Sequence, residues 1–107
     1  MNDLLTEIRN KCELLDKAVN QFGKRGRVAA EAERNYRILY AQEMLKLKSE
    51  GLPATLIPDI AKGNTADAKF DRDAADVTYQ SAKEAINALK IQIKVLDEQL
   101  SREWHSQ

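Results

Sequence analysis

The stretch from Ala75 to Leu100, ADVTYQSAKEAINALKIQIKVLDEQL, decides the fold class of this chain. Its apolar side chains recur at alternating steps of four and three residues, at Ala75, Tyr79, Ala82, Ile86, Leu89, Ile93, Leu96 and Leu100. This spacing places them on one face of an α-helix, in the kind of seam by which helices pack as coiled coils. We therefore predict a long amphipathic helix over residues 65–104, whose seam ends near Trp104.

A second group of apolar residues in this helix lies off the seam. At about 100° per residue, Ala88, Ile91 and Val95 point away from it, and we call these three residues the outer patch. The alternation of apolar and polar residues from Leu89 to Val95 is also a strand pattern, but the seam continues on both sides and favours a helix. We expect a second protomer or another protein to cover the outer patch.

A seam of similar period predicts a first helix over residues 2–49. Its positions are Leu5, Ile8, Cys12, Leu15, Val19, Phe22, Gly26, Ala29, Glu33, Tyr36, Tyr40 and Leu47. Gly23 and Gly26 each cost about 1 kcal/mol in a helix interior relative to Ala. The helix therefore either breaks there or continues, with its small residues allowing a close backbone approach. Continuity is favoured, because no proline intervenes and the seam resumes in phase. Cys12 is expected to be packed in the seam.

The segment between the two long helices is punctuated by prolines and glycines, at Gly51, Pro53, Pro58 and Gly63. We predict a short helix over residues 53–62, which Pro58 either starts or kinks because proline lacks a backbone donor. Gly63 is expected to end it in a left-handed conformation. Asn64 or Thr65 is the expected N-cap of the last helix.

These elements predict an all-α, long antiparallel helical hairpin, coiled-coil-like, with a short helix in the connection and a single domain over residues 1–107. If the long helices meet near residues 48 and 66, Tyr36 lies near Tyr79. Basic residues late in the first helix should then face acidic residues early in the last: Arg34, Arg37, Lys46 and Lys48 against Asp67, Asp71, Asp73 and Asp76. Two helices bury little core for their length, so we expect the short helix to cover Ile38 and Leu45, and the hairpin to form a homodimer.

Composition restricts the classes of function. The 17 basic and 17 acidic side chains give no net charge, whereas a polybasic nucleic-acid coat or membrane-surface protein would be clearly basic. No apolar run approaches the roughly 20 residues that span a bilayer. The N-terminus lacks an apolar signal core, and the single cysteine excludes an intrachain disulfide. A cytoplasmic protein is expected, without membrane contact.

No constellation of residues indicates catalysis, a cofactor or a metal. The four aspartates Asp67, Asp71, Asp73 and Asp76 lack calcium-loop spacing and a nearby histidine. The only histidine, His105, is among the last three residues and cannot form a catalytic or metal site alone. No serine lies in a nucleophile elbow, and Gly23 and Gly26 do not form a phosphate loop. The sequence therefore predicts a protein that is not an enzyme.

A basic cluster is the strongest charged feature of the predicted surface, at Lys24, Arg25, Arg27 and Arg34. These side chains either form a solvated helix face or contact a partner, which would be an acidic protein or the phosphates of a nucleic acid. No aromatic residues are interleaved with them, so stacking on single-stranded bases is not indicated. Glu31 and Glu33 dilute the positive charge.

Several short motifs are familiar as a set. They are Arg25-Gly26, Ala30, Ala32-Glu33, Tyr36-Arg37, Leu52-Pro53, Ala61-Lys62-Gly63, Ala82, Glu84-Ala85-Ile86 and Arg102-Glu103-Trp104. Over nearly its whole length the chain resembles small uncharacterised helical proteins of phages and prophages of Gram-positive bacteria. The resemblance implies a mobile-element protein of the host cytoplasm and assigns no functional residues.

The sequence thus leaves two functions from different classes. The first is a non-enzymatic protein–protein interaction module, a phage or prophage accessory or host-modulating protein. It would dimerise and bind a host or phage protein through the outer patch and the Lys24–Arg27 region. The second is an accessory nucleic-acid-binding protein that contacts the phosphate backbone through the Lys24–Arg27 region and Arg34.

Overall fold

The computed structural model describes residues 2–106 and contains three helices. They are α1 (Asn2–Ser49), α2 (Ile57–Asn64) and α3 (Ala66–His105), and no strand occurs among the described residues. The all-α helical hairpin with a short connecting helix is therefore confirmed. The short helix begins at Ile57 and not at residue 53, with Pro58 in its first turn. Proline is favoured there because the first helical N–H groups have no partner within the helix.

The chain divides into two compact units. The first unit combines Met1–Lys24 with Gln80–Gln107, and the second unit is Arg25–Tyr79. In each unit a segment of α1 packs against a segment of α3 that runs in the opposite direction. The second unit also contains α2 and the turn before it.

The end of α1 is a Schellman motif. The N–H of Leu52 donates to the carbonyl of Leu47 (3.3 Å), and that of Gly51 donates to the carbonyl of Lys48 (3.1 Å). Gly51 has a positive φ of 81°, which this motif requires after a helix end. Gly63, the expected left-handed residue, lies inside α2 instead. These bonds satisfy the carbonyls of Leu47 and Lys48 in the last turn of α1, and the chain reverses directly after it.

The reversal places α2 against the last two turns of α1. Leu47, Ile57 and Ala61 are buried together, and partly buried side chains from α1, the connection and α2 surround them: Tyr40, Met44, Leu52 and Ile60. α2 therefore covers the Tyr40–Leu47 face, and the expectation that it covers Ile38 and Leu45 is wrong, since both remain exposed.

α3 follows α2 with only Thr65 between them. Thr65 precedes the first residue of α3, but its hydroxyl donates back to the carbonyl of Ala61 (2.7 Å). Its own carbonyl accepts from the N–H of Lys69 (3.1 Å), so the backbone hydrogen bonds continue from α2 into α3. The side chain of Asn64, the other expected cap, donates to Glu43 (2.7 Å) and ties this junction to α1.

The register of the hairpin differs from the predicted one by about two and a half helical turns. Tyr79 contacts Gly26 instead of Tyr36. Asn64 lies opposite Glu43, so α2 already belongs to the returning arm of the hairpin. The prediction placed the reversal between residues 48 and 66, whereas the chain turns directly after α1.

One of the basic residues predicted to face the aspartates of α3 has a different partner. Arg37 pairs with Glu33 on its own helix (2.7 Å). Glu33 in turn faces Arg72 of α3 (3.4 Å), so the acid lies on α1 and the base on α3. The contact between Glu33 and Arg72 follows from the shifted register.

The glycine-containing middle of α1 is continuous, as expected. A Cβ on Gly26 would lie 2.9 Å from Cε1 of Tyr79, closer than real Cβ contacts. Gly26 therefore admits the Tyr79 ring against the α1 backbone within the second unit. A Cβ on Gly23 would meet nothing within 4 Å.

The seam of α1 is displaced by one residue at alternate positions in the first unit. Ile8, Leu15 and Phe22 are partly buried as predicted. Between them the partly buried residues are Lys11 and Ala18, whereas their neighbours Cys12 and Val19 are exposed. The prediction that Cys12 packs in the seam is therefore wrong. In α3 every predicted seam residue from Ala75 to Leu100 is partly or fully buried, and only the terminal Trp104 is exposed.

The two glycines of α1 provide a matched pair of substitutions. Gly23→Ala should raise the free energy of unfolding by about 1 kcal/mol, because it adds helix propensity without a contact. Gly26→Ala adds the same helix propensity but forces the Tyr79 ring away from α1. We therefore expect its urea unfolding midpoint to lie below that of the wild type. Urea denaturation followed by circular dichroism measures both. Equal stabilisation by the two substitutions would contradict the close approach at Gly26.

The glycines of the connection provide a second pair. Gly51→Ala forces a Cβ into the left-handed region and should destabilise the protein by about 1–2 kcal/mol. Gly63 lies in a helix with open space around it, so Gly63→Ala should leave the stability unchanged or raise it. Thermal unfolding of both variants tests this, and a loss at Gly63 with none at Gly51 would overturn the assignment of the Schellman motif.

Candidate interaction surfaces

The outer patch lies on α3 in the first unit and is open to solvent. Ile91 is 64% exposed and Val95 54%, one helical turn apart, and Ala88 is exposed beside them. On the opposite side of the same turns, Leu89 and Ile93 are partly buried in the seam. This part of α3 therefore has two apolar faces, of which one packs within the chain.

A shallow groove borders the outer patch on the side of α1. Ile91 and Val95 line it together with Gln92 and Leu96 of α3. Glu7 and Lys11 of α1 form its other wall. The patch thus has an apolar centre and a rim of one acidic and one basic side chain, which is the arrangement of small protein interfaces.

All four side chains of the predicted basic cluster are exposed. Lys24 belongs to the first unit, and Arg25, Arg27 and Arg34 belong to the second. At about 100° per residue, Arg27 and Arg34 share a side of α1, while Arg25 points about 160° away from Arg27. Only two of the three guanidinium groups in the second unit can face the same phosphate backbone.

Two exposed apolar side chains of α3 in the second unit were missed from the sequence. Phe70 is 72% exposed and Val77 64%. Both lie off the seam, so the same helical phase that identified the outer patch would have identified them.

A polar cluster around Arg72 occupies the second unit. The guanidinium lies 4.5 Å from the ring centroid of Tyr36 and pairs with Asp73 (2.9 Å) and Glu33 (3.4 Å). The hydrogen bond to Asp73 raises the pKa of Arg72 above its ordinary value. The guanidinium, which is charged at all pH values at which proteins fold, thus contacts Glu33 and Tyr36 of α1 from its position on α3.

A concavity of about 600 Å³ adjoins this cluster, lined by Gly26, Ala29, Ala30, Glu33, Arg72, Asp73, Asp76 and Tyr79. Its polar lining groups are of mixed sign, and Glu33, Arg72 and Asp73 already pair with one another. The concavity therefore follows from the small residues of α1 and is not a set of converging free groups.

Within residues 2–106 no group of three or more His, Cys, Asp or Glu side chains could hold a metal ion. The four aspartates of α3 do not form such a group. No described helix is both long and apolar enough to cross a bilayer.

The fold defines the class of this protein as an all-α antiparallel helical hairpin. Comparison with protein-family models, with curated proteins and with solved structures finds no match to the chain. The function therefore has to be inferred from the surfaces described above.

Proposed function

We propose that this protein is a non-enzymatic protein–protein interaction module that binds through the outer patch, and that it forms a homodimer. The exposure of Ile91 and Val95, two branched apolar side chains one turn apart, carries this proposal. With the resemblance to phage and prophage proteins, we place it in the host cytoplasm as an accessory or host-modulating protein.

The energetics of exposed apolar surface support this function. Removing apolar surface from water contributes about 25 cal/mol per Å², and one exposed Ile or Val side chain represents about 1.5–3 kcal/mol when fully buried. Isolated exposed apolar residues are ordinary on protein surfaces, but adjacent ones with a charged rim are typical of interaction sites. The patch is small, so we expect association in the micromolar range.

Binding to the phosphate backbone is the second candidate, and Arg27 and Arg34 are the residues that favour it. They are exposed on the same side of α1 and could contact one strand of nucleic acid. The neutral overall charge and the divergence of Arg25 weaken this candidate.

The chain offers a matched test of the outer patch. Val95 and Val28 are the same residue type, both in long helices and both 54% exposed. Val95→Asp should weaken self-association by about tenfold or more, because it places a charge in the buried centre of the interface. Val28→Asp should leave association unchanged. Sedimentation equilibrium over a range of concentrations measures both.

A wild-type protein that remains monomeric at hundreds of micromolar would contradict the homodimer. If Val95→Asp and Val28→Asp weaken self-association equally, the outer patch is not the interface.

Double-stranded DNA or RNA in the same experiment tests the second candidate. If Arg27→Glu with Arg34→Glu abolishes a salt-sensitive complex with nucleic acid while Val95→Asp preserves it, phosphate binding replaces the proposed function.

A further inference from the structure

Charged residues continue the outer patch in both directions along α3. At about 100° per residue, Glu84, Glu98 and Arg102 lie within about 40° of Ile91 around the helix axis. All three are exposed and belong to the first unit. A partner that covers Ile91 and Val95 along the helix therefore also meets an acid before the patch, and an acid and a base after it.

These charges discriminate between the two ways in which a second copy could pack its α3 on the patch. In a parallel pair each residue faces its own copy, so Glu84, Glu98 and Arg102 would each form a like-charge contact. In an antiparallel pair the two ends of the patch exchange places. An acid before the patch then meets a base after it.

One antiparallel register matches both the apolar and the charged residues. It places Ile91 opposite Val95 of the second copy, which is the only pairing that joins the two large side chains of the patch. The same register places Glu84 opposite Arg102 of the second copy, and twofold symmetry repeats both contacts. Glu98, one turn before Arg102 on the same helix face, adds a second carboxylate beside that guanidinium.

Two contacts at the rim test the consistency of this register. Gln92 faces Gln92 of the second copy near the twofold axis, where two amides can form hydrogen bonds. Lys94 lies near the axis on the other rim and is exposed. Its long side chain can extend into solvent, so the like-charge contact there is weak compared with three such contacts in a parallel pair.

We propose that the partner of the outer patch is a second copy of this chain in antiparallel orientation, with Ile91 opposite its Val95 and Glu84 opposite its Arg102. This inference rests on the proposed function and deepens it by naming the orientation and the register. The observation that carries it is the placement of Glu84 and Arg102 on the same face as the patch, one at each end.

A charge-swap cycle tests the register. Glu84→Arg and Arg102→Glu should each weaken dimerisation, by roughly three- to tenfold at low salt, because each creates two like-charge contacts. The double variant Glu84→Arg with Arg102→Glu restores opposite charges and should return within about twofold of the wild type. Lys90→Glu, about 100° around the helix from the patch, is the control and should have no effect. Sedimentation equilibrium gives the constants, and circular dichroism confirms intact helices.

Disulfide trapping supplies an independent measurement of orientation. Cys12 is exposed and is first replaced by serine. Ala88→Cys should not cross-link to itself, because the two positions lie about 15 Å apart along an antiparallel pair. A mixture of Ala88→Cys and Glu98→Cys proteins should cross-link as a heterodimer, since those positions face each other.

The outcomes separate this inference from the proposed function. The antiparallel register is overturned if the wild type dimerises but the double variant dimerises more weakly than both single variants. It is also overturned if the Ala88→Cys protein cross-links to itself. Either result leaves the interaction module standing. A wild-type protein that never dimerises overturns the register together with the homodimer part of the proposed function. Rescue by the double swap together with the mixed cross-link supports the register.

Discussion

The packing of α2 on the end of α1 is the contact on which the second unit depends. Leu47, Ile57 and Ala61 are buried against one another, and the Schellman motif at Gly51 brings them together within a few residues of chain. Because α3 follows α2 almost without interruption, this contact sets which α3 residues face which α1 residues. The approach of Tyr79 to Gly26 and the pairing of Arg72 with Glu33 are consequences.

The small core explains why the surface of this protein is apolar in places. A pair of long helices presents much surface for each buried side chain, and the buried hydrophobic residues of the described chain are Leu47, Ile57, Ala61 and Ile86. Large side chains such as Phe70 and Ile91 therefore remain in water. A protein with so small a core gains stability when a partner removes such residues from solvent.

The helices could be predicted from sequence, and their relative register could not. The α3 seam was identified correctly because its large apolar residues, such as Ile86 and Ile93, alternate with polar ones at a helical period. In the first half of α1, the adjacent residues Ala18 and Val19 are both apolar, and the spacing alone cannot decide which of the two faces α3. The register depended on the turn at Gly51 and on the docking of α2, which hydrophobic periodicity does not encode.

The outer patch shows what helical phase can and cannot reveal about a surface. Phase alone assigned Ile91 and Val95 to the side away from the seam, and their exposure in the structure agrees with that assignment. Phase does not say what covers them. In the antiparallel pair that we propose, the charges at the two ends of the patch determine the direction, because an apolar strip alone would accept a partner helix in either direction. Opposite charges at Glu84 and Arg102 would favour that one direction electrostatically.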